Sequence, residues 1–214
     1  CGVSVKLSSL GLALDRALCE ANLELVLEAA EGAHRFVRID MEEAPTVDAT
    51  LQLVTIARAR GRRVGTVLQA RLRRTPEDLA RLIEAQVPVR LVKGIYLEPA
   101  AIAYTGYREI QDAYLRLLEQ AVRGGLETAI ATHDDRLVRE ATALLATGLG
   151  EAGGYEFQCL LGVREDLRRR LRTEGHRVRV YVPYGKDWFA YSVRRLQENP
   201  RMATQVTKAL FGVR

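Results

Sequence analysis

The sequence predicts an α/β fold, a (β/α)8 TIM-type barrel that lacks its first βα unit in this chain. Short runs rich in β-branched residues alternate seven times with helical patterns, which is the order of parallel βα units. No G-x-G-x-x-G turn follows the first run, so a doubly wound dinucleotide-binding sheet is disfavoured. A complete barrel needs about 250 residues, whereas this chain has 214 and opens at Cys1, beside its first predicted strand. We therefore expect a single, N-terminally incomplete domain over residues 1–214.

Most of the predicted strands are nearly continuous apolar runs, as expected for strands covered on both faces. The seven strands are predicted at Val3–Leu7, Phe36–Met41, Val64–Gln69, Val89–Lys93, Thr128–Thr132, Tyr155–Leu160 and Arg177–Val182.

The helices between these strands carry recognisable ends. Thr75 followed by Pro76 predicts a helix start, with the threonine as the cap and the proline at the first helical position. Gly124 predicts the end of the preceding amphipathic helix, and Asp134 comes directly before another apolar stripe.

Composition disfavours several classes of function. The net charge is +5, but the arginines alternate with acids along helical segments, which is typical of solvated helix faces. Aromatic residues make up 6% of the chain and offer little for base stacking, so we expect no nucleic-acid partner. No apolar stretch approaches the roughly 20 residues of a spanning helix, so membrane contact is expected to be peripheral at most. The three cysteines lack C-x-x-C spacing, which predicts reduced thiols in a cytoplasmic protein without a metal site.

Polar residues end or interrupt most of the predicted strands. In a barrel, ligands bind at the carboxyl ends of the strands. Any one of these residues could instead cap a helix or face solvent. Together they predict a polar ligand site, because burying them unpaired would be costly. These residues are Lys6, Asp40, Gln69, Arg90, Lys93, Thr132, His133, Gln158 and Tyr181.

A last candidate group lies near the C-terminus. Tyr191, Arg194, Arg195 and Glu198 are spaced i, i+3, i+4 and i+7 and so share one helix face. Two guanidinium groups can hold a carboxylate in bidentate fashion, and a glutamate can accept from an amine. This face therefore suits a bound amino acid, and an exposed, salt-bridged helix is the alternative.

Seven segments, in order along nearly the whole chain, resemble those of one family. They are Val3–Ser9, Arg38–Glu43, Val67–Ala70, Arg90–Tyr96, Ala131–Asp134, Tyr155–Gly162 and Tyr181–Asn199. In these segments the sequence resembles the proline dehydrogenase family, including the proline dehydrogenase domain of bifunctional proline-utilisation flavoenzymes.

The resemblance implies a distorted (β/α)8 barrel that binds FAD non-covalently and catalyses the first step of proline catabolism. L-proline would be oxidised to Δ1-pyrroline-5-carboxylate by hydride transfer to flavin N5, and the electrons would pass to a membrane quinone. The resemblance also implies a cytoplasmic protein, in peripheral contact with the inner face of the membrane at most, with pyrroline-5-carboxylate dehydrogenase as a possible further partner.

The same resemblance assigns roles to individual residues. Lys6, Asp40 and Arg90 would be catalytic. Asp40 would orient Lys6 or the substrate-binding arginines, and Arg90 would lie near the pyrimidine edge of the flavin. The substrate would be bound by Lys6, Tyr181, Tyr191, Arg194, Arg195 and Glu198. The cofactor would be bound by Met41, Gln69, Arg90, Lys93, Gly94, Ile95, Tyr96, Thr132 and His133. No metal is implied.

Two features depart from the family pattern. The first strand, with its Asp-x-Leu-Gly-Glu type of motif, is absent, and Ile95 replaces a common alanine. One alternative is a related barrel flavoprotein acting on hydroxyproline or another cyclic or N-methylated amino acid. Tyr191 favours proline, because by resemblance this residue crowds the outer edge of the substrate ring. A non-enzymatic nucleic-acid-binding domain is the other alternative.

Overall fold

A computed structural model describes residues 1–149 and 154–185 of the chain. In these residues seven strands alternate with six α-helices. The strands are β1 (Val3–Lys6), β2 (Val37–Asp40), β3 (Val64–Gln69), β4 (Val89–Val92), β5 (Thr128–Ala131), β6 (Tyr155–Leu160) and β7 (Val178–Tyr181). The helices are α1 (Arg16–Gly32), α2 (Val47–Ala59), α3 (Thr75–Glu84), α4 (Tyr107–Arg123), α5 (Asp135–Leu144) and α6 (Glu165–Thr173). Short 3-10 turns cover Ser8–Leu10 and Ala44–Thr46, and a π-turn covers Leu145–Leu149.

All seven strands pair in parallel, in the order of the chain, from β1 to β7. This confirms the predicted α/β order and the presence of a strand at each of the seven predicted positions. The strand ends differ by one residue: β1, β2, β4, β5 and β7 end one residue earlier than predicted, and β2 and β7 begin one residue later. Thr75 was predicted to cap α3 but is its first helical residue. The reason is that its buried hydroxyl donates to the Gln69 carbonyl (2.7 Å), which ties it to the end of β3.

The sheet curls. The hydroxyl of Tyr181 in β7 lies 3.4 Å from Oδ2 of Asp40 in β2. In a flat sheet these strands, five spacings apart, would be separated by about 24 Å. The guanidinium of Arg90 in β4 likewise reaches Oγ of Ser4 in β1 (3.1 Å). The described residues therefore form a curled, half-barrel sheet.

The two faces of the sheet differ in chemistry. The outer face contributes residues such as Ile39, Leu68, Leu91 and Ile130 to a continuous hydrophobic core shared with the helices. The inner face carries alternate residues that are largely polar. Most inner-face side chains are buried or half-buried, as predicted for strands covered on both faces, but many are polar, and charged side chains meet across the curl. Cys159 is a buried free cysteine, and its burial raises the pKa of its thiol.

Within the described ranges, no helix has both the length and the apolarity needed to cross a membrane.

Candidate active site

A cavity of about 260 Å³ opens at the carboxyl ends of the strands, where ligands bind in parallel βα folds. It brings together most of the candidate residues whose structure is described: Lys6, Asp40, Met41, Gln69, Arg90, Lys93, Gly94, Ile95, Tyr96, His133 and Tyr181. Thr132 does not line it; this threonine is buried, and its hydroxyl accepts from the backbone amide of Asp134. Tyr191, Arg194, Arg195 and Glu198 lie outside the described residues.

Lys6, the last residue of β1, is held between two loops. Its ammonium lies 3.9 Å from Oε1 of Glu42 and donates to the hydroxyl of Tyr96 at 3.3 Å. The carboxylate of Glu42 also accepts from the hydroxyl (2.6 Å) and the backbone amide (3.0 Å) of Ser8. Glu42 is buried, so a charged partner for its carboxylate is needed to offset the cost of desolvation.

Arg90 occupies the centre of the inner face. Its guanidinium donates to Oδ1 of Asp40 (2.7 Å), Oε1 of Gln158 (2.6 Å) and Oγ of Ser4 (3.1 Å). The ring of Tyr181 lies 5.2 Å from its guanidinium carbon, a cation–π contact. Asp40 was expected to orient Lys6 or the arginines, and its ion pair is with Arg90. Burial raises the pKa of Asp40, against the opposing effect of Arg90 and Lys6, so its negative charge depends on these cations.

Gln69 and Gly94 form one wall of the cavity. The side-chain amide of Gln69 donates to the carbonyl of Glu42 at 2.9 Å, which joins β3 to the loop after β2. Gly94 has a φ of +99°, and a Cβ added there would lie 3.0 Å from Oε1 of Gln69. This backbone conformation and this close approach both require glycine.

Lys93 is fixed by a group of residues that the sequence did not single out. Its ammonium pairs with Oδ2 of Asp134 at 3.0 Å and lies 4.8 Å from the ring centre of Tyr107. Asp134 also accepts from the hydroxyl of Tyr107 and the amide of Gln111, and it caps the N-terminus of α5. Although burial acts in the opposite direction, these donors together hold the pKa of Asp134 at about 2. The ion pair keeps the Lys93 ammonium beside the cavity.

His133 presents a neutral imidazole to the cavity. Its Nε2 accepts from the backbone amide of Leu160 at 3.1 Å, so the ring proton is on Nδ1. Burial, with help from the nearby charges of Arg164 and Lys93, lowers the pKa of His133 to about 4. The ring is therefore a hydrogen-bond donor without charge at neutral pH.

Four residues to which the family resemblance assigned no role support this site: Glu42, Arg71, Asp134 and Gln158, of which Gln158 was among the polar residues of the predicted ligand site. Each was visible in the sequence as an acid, amide or guanidinium within three residues of a strand end. Arg71 donates to the Tyr96 carbonyl, and its buried Nε has no hydrogen-bond partner in the described residues. Among those residues, no group of three or more His, Cys, Asp or Glu side chains is arranged to hold a metal ion.

A curled parallel sheet with a cationic cavity at the carboxyl ends of its strands is the arrangement in which barrel-type α/β enzymes place their active sites. The family model for proline dehydrogenase matches residues 1–208, and the chain belongs to that family. It is 42% identical to a proline dehydrogenase of Deinococcus radiodurans, over 98% of this chain and 69% of the relative. It is 38% identical to proline dehydrogenase 1 of Bacillus subtilis (strain 168), again over 98% and 69% of the two chains.

Solved structures give the same result for the fold. The chain superimposes on proline utilization A (PutA) from Bdellovibrio bacteriovorus, inactivated by N-propargylglycine, with a TM-score of 0.80 and 27% identity. The match covers 93% of this chain and 24% of that one, so this chain spans about a quarter of the length of that structure. The structural comparison therefore concerns one part of a larger protein.

Proposed function

We propose that this chain catalyses the FAD-dependent oxidation of L-proline to Δ1-pyrroline-5-carboxylate. The observation that carries the proposal is the cavity of this chain, which belongs to the proline dehydrogenase family. The cations Lys6, Arg90 and Lys93 line this cavity together with apolar side chains. An amino-acid carboxylate needs cations, whereas a proline ring and an isoalloxazine ring need apolar surface.

The residues that line the cavity fit a flavin dinucleotide. Arg90 has five N–H donors, of which three have acceptors in the described residues, so two remain to serve a ligand. His133 offers its Nδ1–H, and Lys93 offers an ammonium that is 31% exposed. These donors match the carbonyl, ring-nitrogen and diphosphate acceptors of FAD, and Ile95 and Leu160 supply apolar surface.

FAD, when bound, supplies the two-electron acceptor for the oxidation. Arg194 and Arg195 bind the substrate carboxylate, Glu198 accepts from the amine, and Tyr181 and Tyr191 border the ring. The substrate loses a proton from nitrogen and a hydride from the adjacent ring carbon, which forms the C=N bond. These five residues orient that carbon and nitrogen, so they lower the entropic part of the barrier.

The remaining described residues hold the cofactor and set the charge around it. Arg90 keeps a positive charge at the cavity wall, which favours the uptake of negative charge there. Lys6, fixed by Glu42 and Tyr96, adds a second cation close to Asp40. Met41, Gln69, Gly94 and the buried Thr132 shape the wall or support it from behind.

Three broader features belong to the same proposal: closure of the sheet into a (β/α)8 barrel, transfer of the electrons to a membrane quinone, and a cytoplasmic location with peripheral membrane contact. A pyrroline-5-carboxylate dehydrogenase is the proposed consumer of the product. Similarity to relatives named bifunctional protein PutA, at 30% identity for that of Rhizobium meliloti, supports a link to a second activity.

The test is the visible spectrum of the purified protein before and after anaerobic addition of L-proline. We expect a flavin spectrum that L-proline bleaches and D-proline does not. The double variant Arg194→Ala/Arg195→Ala should retain the flavin but lose bleaching. As a matched control, Arg123→Ala/Arg139→Ala removes two exposed arginines that do not line the cavity and should bleach like the parent.

Other results would contradict the proposal in different ways. A flavin that L-proline leaves oxidised, but that hydroxyproline or an N-methylated amino acid bleaches, would indicate a related substrate. A protein that binds no flavin, even after reconstitution with FAD, would refute the proposed function. Equal loss of bleaching in the control variant would refute the assignment of the arginine pair.

A further inference from the structure

A continuous chain of hydrogen bonds runs across the inner face of the sheet, from the cavity toward the amino ends of the strands. Nε of Arg90 donates to Oε1 of Gln158 at 2.6 Å, and Nε2 of Gln158 donates to Oε1 of Glu156 at 2.6 Å. Glu156 in turn accepts two hydrogen bonds from Arg179, at 2.6 and 2.8 Å. The two central residues are almost fully buried, with Gln158 6% and Glu156 7% exposed.

The charges at the two ends of this chain determine the orientation of the Gln158 amide. An arginine Nε can only donate, so the amide oxygen must face Arg90. An ionised carboxylate can only accept, so the amide nitrogen must face Glu156. The hydrogen bonds from Arg179 and Gln158 lower the pKa of Glu156 despite its burial, which keeps that end anionic. The amide is therefore polarised between a cation and an anion.

The chain also limits how the Arg90 guanidinium can turn. Asp40 and Ser4 accept from its two terminal nitrogens, and Gln158 accepts from Nε, so a group on each nitrogen fixes the plane. Arg90 and Gln158 line both the cavity at the carboxyl ends and a larger open cavity, of about 990 Å³, at the amino ends. Without the hydrogen bond that Arg90 donates to Gln158, the guanidinium could rotate toward this second space.

We infer that Gln158 and Glu156 are positioning residues, which hold the guanidinium of Arg90 in the orientation that serves the cofactor. The inference rests on the proposed function for the direction of its catalytic effects, but the hydrogen-bond chain itself does not depend on it. Arg179 is half exposed, so it could be solvated without Glu156. Glu156 accepts from Gln158 as well as from Arg179, and the contact with Gln158 links it to the site.

The experiment is a double-mutant cycle on the flavin-containing protein, measured by the midpoint potential of the flavin. Gln158→Met keeps the shape of the side chain but removes both hydrogen bonds, and Glu156→Gln removes only the negative charge. We expect Gln158→Met to make the potential more negative, because the positive charge of Arg90 is no longer held toward the flavin. Glu156→Gln should shift the potential in the same direction but less, and the double variant should match Gln158→Met alone.

Kinetics give a second readout. Gln158→Met should lower kcat about tenfold, the usual effect of losing a hydrogen bond to a charged group, with little change in KM for L-proline. Glu127→Gln is the matched control, because it removes another carboxylate that borders the amino-end cavity without touching Gln158. It should leave the potential and kcat unchanged. A potential unaltered in Gln158→Met, or a Glu156→Gln effect that persists when residue 158 is methionine, would overturn the inference.

A third readout separates failure of this inference from failure of the proposed function. The Nε–H signal of Arg90 in ¹⁵N-labelled protein, assigned by its loss in Arg90→Lys, reports the bond to Gln158 without any reaction. We expect the signal to shift in Gln158→Met and, less, in Glu156→Gln, and to stay in place in Glu127→Gln. If L-proline fails to bleach the flavin but these shifts occur, only the function is refuted; if bleaching occurs without the shifts, only the inference is.

Discussion

His133 couples the stability of the fold to pH. Its ring accepts from the backbone of Leu160, and the positive charges of Lys93 and Arg164 lie close by. Protonation would break the bond to Leu160, because Nε2 would become a donor, and would place a third cation in this part of the site. Burial of the ring, together with the nearby charges of Arg164 and Lys93, lowers the pKa of His133 from 6.5 to about 4 in the folded protein.

The size of the effect follows from linkage. Above pH 6.5 the ring is neutral in both the folded and the unfolded chain, so it does not affect the pH dependence of the free energy of unfolding. Between pH 6.5 and about 4 the unfolded chain binds a proton that the folded chain does not, so stability falls as the pH falls. At about 1.4 kcal/mol per pH unit, the loss reaches about 2 kcal/mol at about pH 5 and about 3 kcal/mol near pH 4.

The assay is urea unfolding followed by circular dichroism at several pH values from about 7 to about 5. His133→Gln is the comparison, since its side-chain oxygen can still accept from Leu160 but cannot titrate. The parent protein should lose about 2 kcal/mol more than the variant over this range. His34 and His176 are present in both proteins, so their contributions cancel. If the free energy of unfolding falls equally with pH in the parent and in His133→Gln, the proposed environment of His133 is refuted.

Three further predictions concern stability. Gly94→Ala should lower the free energy of unfolding by more than Gly61→Ala, for which a loss of about 1 kcal/mol is expected. Both glycines have positive φ, but only Gly94 has neighbours that a Cβ would crowd. Equal losses in urea unfolding would contradict this. Asp134→Asn should cost about 1.5–3 kcal/mol through loss of its charged hydrogen bonds, against less than about 1 kcal/mol for exposed Asp135→Asn. Calorimetry should rank the two in that order. Leu118→Ala should cost about 2–5 kcal/mol, since the side chain is fully buried in the outer core, and a loss below about 1 kcal/mol would mean that this core repacks.

The sequence was sufficient to predict the strands and the residues at their ends. A β-branched run that ends in a polar residue is a local pattern, so Asp40 and Gln69 could be placed at the carboxyl ends without coordinates. Lys6 was predicted inside its strand, which ends at this residue, one position before Leu7. Their partners could not be predicted in the same way. The pairing of Asp40 with Arg90, two strands away, depends on how far the sheet curls, which is a property of the whole structure.

Two kinds of supporting residue were also hidden from sequence reasoning. Asp134 was interpreted as the start of a helix, which it is, and nothing local indicated that its carboxylate also pairs with Lys93. Gln158 was recognised as a polar residue within a strand, but its place between Arg90 and Glu156 depends on the inner face of β6. Functional contacts of this kind form between elements, where residue spacing along the chain carries little information.

The polar contacts of the inner face join residues that are far apart along the chain. Neighbouring strands come from successive βα units, but Arg90 is 68 residues from Gln158 and 86 from Ser4, and Asp40 is 141 from Tyr181. A contact that closes a long loop costs more chain entropy than one that closes a short loop. These contacts are therefore expected to form late in folding. During synthesis, β1 to β3 and their helices can assemble before Tyr181 has left the ribosome. The chain would thus acquire its outer core first, and a binding-competent site only when nearly all of it had folded.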